Sequence, residues 1–226
     1  MALALAAQGA DLAVHYRSSR AAAEATAAAA RERGVQALAI AADLADPRAC
    51  PRLIAECRAA LGSLDILINN ASIFPASTLR DLEPQDVQRN VEVHGIAPLL
   101  LTRELAADGR PGAVINLLDT RVVDYDAQHA AYHLSKRMLF TLTRAMALEF
   151  APAVRVNGIA PGLILPPAGE DESYLERLKH TNPLQSYGSA ADVVMAVEYL
   201  LRSEFVTGEV LFVDGGRHMR GSLYGL

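Results

Sequence analysis

The sequence predicts an α/β fold, a doubly wound parallel sheet in a single domain with helices on both faces. Three observations carry this. Short apolar runs alternate with longer Ala- and Leu-rich stretches along all 226 residues. Several of the runs are nearly continuous in apolar residues, as strands buried on both faces require. The stretches between them are long enough to be crossover helices, which parallel strands need.

In chain order, "MALALAAQGA" opens the chain inside a helix, without the basic flank of a signal peptide. "LAVHY" (12–16) is a short strand. "SRAAAEATAAAARERG" (19–34) is built from strong helix formers and closed by Gly34. "VQALAIAA" (35–42) is a strand, and 46–62 is a helix with Asp46 as N-cap and Pro47 in its first turn. "LDILIN" (64–69) is a buried strand. A long helix over 83–108 should kink at Pro98. A strand at 112–118, a long helix at 127–152 and a strand at 154–160 follow. A helix near 189–202 and a strand at 209–214 complete the pattern.

Composition narrows the function classes. Net charge is -5 with no basic run, which speaks against a nucleic-acid surface. No apolar run reaches membrane-spanning length, so no membrane role and a cytoplasmic setting are expected. Cys50 and Cys57 stand seven apart on a predicted helix, roughly 10 Å along its axis and too far for a disulfide. Neither they nor the histidines have metal-site spacing, so no metal is expected.

A dinucleotide-binding sheet begins with a strand, a Gly-rich turn and a helix whose N-terminus meets the pyrophosphate. None of the 15 glycines forms such a cluster, and strand 12–16 behaves like the second strand of a Rossmann half. The fold is therefore expected to be Rossmann-like but N-terminally incomplete. After strand 12–16 comes "RSSR", with no acid to take a ribose 2′-hydroxyl. Arg17 and Ser18 suit a 2′-phosphate instead, which predicts NADPH rather than NADH.

Tyr132 and Lys136 in "YHLSK" share one helical face. A nearby ammonium favours a phenolate, whereas Asp119, thirteen residues before Tyr132, opposes it and keeps the phenol protonated. "NNAS" (69–72), "YHLSK" (132–136), "VNGIAPG" (156–162) and "VTGEVLFVDGG" (206–216) stand in one fixed order. With these motifs the chain resembles the short-chain dehydrogenase/reductase family over essentially its whole length, apart from the first strand and Gly-rich loop. The resemblance implies that Tyr132 donates a proton and that Lys136 also holds the nicotinamide ribose. It further implies cofactor contacts from Asp43, Leu44, Asn70, Ala71, Ser72, Pro161, Gly162 and Leu163.

Asp119 stands where the wider family has a Ser that donates to a substrate carbonyl. A carboxylate can only accept. It would repel a developing alkoxide by roughly 3 kcal/mol at about 5 Å and an effective dielectric near 20. A substrate with ring N–H groups fits better. On Asp119, Phe74 in "NNASIF", Pro166 after "PG", "VNGIAPGLIL" (156–165) and "DGGRHMR" (214–220), the chain resembles the pteridine reductase and dihydromonapterin reductase branch. That branch implies reduction of a 7,8-dihydropterin, or of dihydrofolate, with Phe74 stacked on the pterin. It also implies His94 in place of an Asn near the catalytic Lys. The alternatives are an NADPH-dependent carbonyl reductase of the oxoacyl type and a non-catalytic paralogue without its cofactor loop. Family resemblance also implies a homotetramer or homodimer built through helices 83–108 and 127–152.

Overall fold

The computed structural model describes residues 1–167 and 169–220. After a short helix α1 (Ala2–Ala6), the elements alternate as β1 (Leu12–Tyr16), α2 (Arg20–Arg31), β2 (Ala37–Ala41), α3 (Ala49–Leu61) and β3 (Ile66–Asn69). Then come α4 (Pro84–Val91), a π turn (Glu92–Ile96), α5 (Ala97–Ala106), β4 (Gly112–Leu117), α6 (Ala130–Glu149) and β5 (Val154–Pro161). Helices α7 (Glu172–Leu178) and α8 (Ala190–Arg202) precede β6 (Val210–Val213). The fold is the predicted α/β arrangement, and every strand pair is parallel.

The strands form one ladder in the order β3-β4-β5-β6 and a second made of β1 and β2. Period-two alternation sends neighbouring side chains to opposite faces. Val114, Val154 and Val156 pack with Leu105 of α5 and Met146 of α6 on one face. Ile115 and Ile159 pack with Val193, Val197 and Leu200 of α8 on the other. Alanines 27 and 30 of α2 are fully buried beside Leu12, Val14 and Ala37. Small side chains there bring the helix backbone close to β1 and β2. The α3 cluster of Cys50, Leu53, Ile54 and Cys57 touches Ala13, Leu38 and Leu67, so one core joins the two ladders.

Among the described residues no strand lies between β1 and β3. All five residues of β1 are partly exposed, as are Ile66, Leu67 and Ile68 of β3. No helix among the described residues is long and apolar enough to cross a membrane.

Three local expectations need correction. Asp46 does not cap α3, whose N-cap is Arg48; its carboxylate accepts from Arg48 N at 3.0 Å in the preceding turn. The irregularity in the helix over 83–108, expected as a kink at Pro98, lies just before it. The helix changes to a π turn at Glu92–Ile96, and Pro98 then sits in the first turn of α5, where the shifted helical register meets a residue without an N–H. Helix α7 lies in a stretch without predicted structure; its seven residues carry too little periodicity to be read.

Candidate active site

The C-terminal ends of β4 and β5, the N-terminal turn of α6 and the loop after β3 converge on one cleft. Asp119 follows β4 in extended conformation and caps a 3₁₀ turn (Thr120–Val123), its Oδ1 accepting from Arg121 N at 2.7 Å. Its other oxygen accepts from the Tyr132 hydroxyl at 3.0 Å. Tyr132 lies on the first turn of α6 and Lys136 one turn further along, so both reach the same side. The Lys136 ammonium donates to the Leu117 carbonyl at 2.6 Å and lies 5.6 Å from the centre of the Tyr132 ring.

The electrostatics follow from burial and Asp119. Burial, then Asp119, pushes the Tyr132 phenol far above its ordinary value, so it is held protonated. Burial lowers the Lys136 ammonium to about 8, with Asp119 opposing. Burial comes first in setting the phenol, and the carboxylate that accepts from it acts in the same direction.

His94 is held in the π turn and is 1% exposed. Nε2 lies 3.2 Å from the Ile73 backbone N–H, which can only donate, so Nε2 is the acceptor. The proton then sits on Nδ1 and donates to Ser135 Oγ at 2.8 Å; Ser135 donates in turn to the Tyr132 carbonyl at 2.6 Å. Ser72 Oγ also stands 3.0 Å from Nε2. A neutral imidazole thus ties the loop after β3 to the first turns of α6. Burial, then Lys136, lowers its pKa to about 3.

A stability prediction follows with a defined sign. Between pH 6.5 and about 3 the unfolded chain binds a proton at His94 that the folded chain refuses, so stability falls as pH falls through this window. Replacing His94 with Asn should flatten that acid limb in denaturant titrations. His94→Ala, which leaves the Ile73 N–H without its acceptor, should cost about 1–3 kcal/mol at neutral pH. Equal acid limbs in wild type and His94→Asn would contradict the assignment.

Phe74 is 49% exposed. Its ring stacks on His129 at 3.8 Å between centroids and meets the Tyr132 ring edge-on at 4.7 Å. Ser77 fixes this loop, accepting from Ala130 N at its carbonyl (2.9 Å) and from Ala131 N at its hydroxyl (3.2 Å). Asp126 accepts from His129 and Arg121. The motif pattern did not single out Ser77, Asp126, His129 or Ser135. Each acts by contact with residues distant in the chain or by capping α6, and only a polar cluster before the helix hinted at them.

Of the cofactor positions, Arg17 and Ser18 are exposed side by side just past β1. Asp43 and Leu44 follow β2; Asp43 pairs with Arg89 at 3.6 Å, while Leu44 is buried in the α3 core. Asn70, Ala71 and Ser72 follow β3, with Asn70 and Ser72 exposed. Pro161 ends β5, and Leu163 is buried. Gly162 sits so close to Asp214 that an added Cβ would lie 2.7 Å from its side chain. The structure therefore gathers Asp119, Tyr132, Lys136, His94, Ser72 and Phe74 into one site. It places Arg17, Ser18 and Asp43 at the ends of β1 and β2.

A dinucleotide fits this layout at its two ends. Arg17 offers an exposed cation without an ion-pair partner among the described residues, and Asn70 is exposed just past β3. No Gly-rich turn occurs among the described residues, so none of them is assigned to the pyrophosphate.

A parallel α/β sheet with a Tyr–Lys pair at its C-terminal edge defines an oxidoreductase of the nucleotide-dependent class. The chain belongs to the short-chain dehydrogenase/reductase family: the family model described as enoyl-(acyl carrier protein) reductase matches residues 1–218. It is 34% identical to versicolorin reductase 1 of Aspergillus parasiticus, covering 96% of this chain and 90% of that protein. It is 29% identical to a 3-oxoacyl-[acyl-carrier-protein] reductase of Staphylococcus aureus, over 97% of this chain and 92% of that one. Among solved structures it resembles FolM alternative dihydrofolate reductase 1 from Brucella canis, complexed with NADP, with TM-score 0.88, 31% identity and coverage of 96% and 88%. The Brucella suis counterpart, also with NADP, gives TM-score 0.90, 30% identity and coverage of 96% and 90%.

Proposed function

We propose that this chain reduces the C=N bond of a 7,8-dihydropterin to the tetrahydro form with NADPH. The observation that carries the reading is Asp119, an acceptor that receives the Tyr132 proton donor in place of a second hydroxyl donor. When bound, NADPH supplies the hydride. Asp119 orients the ring by accepting from its amino or ring N–H groups. Tyr132 keeps its proton at Oη until the ring nitrogen next to the reduced carbon takes it. Donation leaves a phenolate beside Asp119, a cost that Arg121 partly offsets. Fast reprotonation from solvent follows from that imbalance. Phe74 presents its edge-packed ring to the substrate at the mouth of the site. The resemblance to the FolM structures supports the same reading.

Arg17 and Ser18 hold the 2′-phosphate in this reading, Asp43 and Leu44 flank the adenine, and Asn70, Ala71, Ser72, Pro161, Gly162 and Leu163 line the nicotinamide half. Lys136 holds the ribose. Replacing Arg17 with Ala should weaken NADPH binding by about 10–100-fold, the loss of one or two charged hydrogen bonds, while scarcely affecting NADH. Fluorescence titration of the reduced nucleotides measures both. Equal losses for the two nucleotides would remove Arg17 from the 2′-phosphate site.

The relatives named as 3-oxoacyl reductases favour a second reading, carbonyl reduction. A panel of dihydropterins, 3-oxoacyl thioesters and quinones, assayed by NADPH consumption, separates the two. Turnover of dihydropterins above all others is expected. Preferred turnover of the thioesters would overturn the pterin assignment. The family relationship supports a homodimer or homotetramer, which sedimentation tests.

A further inference from the structure

Residues late in the chain reach the substrate end of the cleft. Asp214, just past β6, is buried and accepts from the Thr120 hydroxyl, from Gly216 N at 2.9 Å and from His218 N at 2.7 Å. These bonds seat a second 3₁₀ turn (Arg217–Met219) on the Thr120–Val123 turn that Asp119 caps. His218 closes the turn by stacking on Phe212 at 4.1 Å. The seating packs the turn that begins with Arg217 against the turn that carries Arg121, close enough for the two charges to interact.

The two guanidinium groups are held differently. Arg121 keeps one terminal nitrogen on Asp126, which fixes its orientation while leaving its side chain 35% exposed. Arg217 is half-buried. Burial and then Arg121 lower its pKa, with Asp119, Tyr174 and Asp124 opposing. Two guanidinium groups carried on packed turns, one of them half-buried, are complementary to an anion placed between them. They stand beside the carboxylate to which the ring-binding role has been assigned.

We infer that Arg121 and Arg217 form an anion-recognition subsite that selects substrates carrying a carboxylate or phosphate on the tail beyond the reacting ring. The inference rests on the pterin reading for the identity of the ring. In this arrangement Asp119 takes N–H donors of the ring and the arginine pair takes the charged tail, so one substrate bridges both signs of charge. Arg217 is the specificity residue. Arg121 supports it and remains tied to Asp126.

Calorimetric titration of three ligands with the same ring system tests this: folate with carboxylates on its tail, neopterin monophosphate with a phosphate, and biopterin with a neutral tail. Wild type, Arg217→Ala and Arg217→Lys are compared, each checked for an unchanged melting temperature. Wild type should bind at least one charged-tail ligand about tenfold or more tightly than biopterin, as expected for a charged hydrogen bond. Which of the two gains names the anion. Arg217→Ala should bring that ratio near one, and Arg217→Lys should restore part of it. Equal affinities for all three ligands in wild type, or an unchanged ratio in Arg217→Ala, would overturn the subsite.

Should no pterin bind, the ring assignment fails, and a thioester pair tests the subsite independently. 3-Oxobutyryl-coenzyme A carries phosphates, and its N-acetylcysteamine analogue carries none. A coenzyme A advantage that disappears in Arg217→Ala keeps the anion subsite. Its absence, or its persistence in Arg217→Ala, removes it.

Discussion

Tyr132→Phe is expected to lower kcat for dihydropterin reduction by about 10²–10⁴-fold, the range for loss of a positioned general acid. The substitution removes one oxygen, and the ring keeps its edge contact with Phe74 at 4.7 Å. The Asp119 oxygen that accepts from the phenol at 3.0 Å loses that donor, while its partner oxygen keeps the Arg121 N–H. Stability and NADPH affinity should therefore change little, and single-turnover kinetics at saturating NADPH isolates the loss. The pH profile offers a second check. Because burial and Asp119 raise the phenol well above its ordinary value, phenol ionisation should produce no basic limb near neutrality. A basic limb near pH 8 would instead report Lys136, whose ammonium is lowered to about 8. Such a limb should persist in Tyr132→Phe if residual turnover is measurable.

Asp119→Ser is the second large effect, and it changes sign with the substrate. For a dihydropterin the variant loses an acceptor for ring N–H groups. Two charged hydrogen bonds of roughly 1.5–3 kcal/mol each make the loss about 10²-fold or more in kcat/KM. For a ketone the same change removes a repulsion of roughly 3 kcal/mol on the developing alkoxide and supplies a donor, so activity should rise. NADPH affinity should be nearly unchanged. The variant also removes the N-cap acceptor for Arg121 N, though Ser can cap the turn in its place. A parallel fall on both substrate classes would indicate a structural role for Asp119 rather than substrate selection.

The strands and most helices could be read from the chain because local signals and the global arrangement agree. "LAVHY" became β1 with the expected boundaries, and α8 starts at the capping box of Ser189 and Asp192. What escaped reading was set by tertiary contacts. The π turn at Glu92–Ile96 inserts His94 between the loop after β3 and α6, and no 3.6-residue periodicity announces it. Asp46 had the right residue type for a cap, but the helix begins later, at Ala49.

At the site, motif spacing brought Asp119, Tyr132 and Lys136 into view together, since two lie on one helical turn and the third caps the turn before it. The stacking of Phe74 on His129 was not legible, because it depends on Ser77 fastening one loop to the start of another helix. The approach of Arg217 to Arg121 depends on a buried Asp214 that seats two short turns on each other, a relation with no trace in local sequence.

In the proposed reaction, hydride passes to the carbon of a pterin C=N bond in a site organised by Asp119. The most direct measurement uses NADPH deuterated at the transferring position with a 7,8-dihydropterin, and locates the label by mass spectrometry and NMR. One deuterium is expected on the ring carbon of the tetrahydropterin formed by wild type, with product greatly reduced in Asp119→Ser. Wild-type protein that forms no labelled tetrahydropterin while transferring the label to a 3-oxoacyl thioester would contradict it.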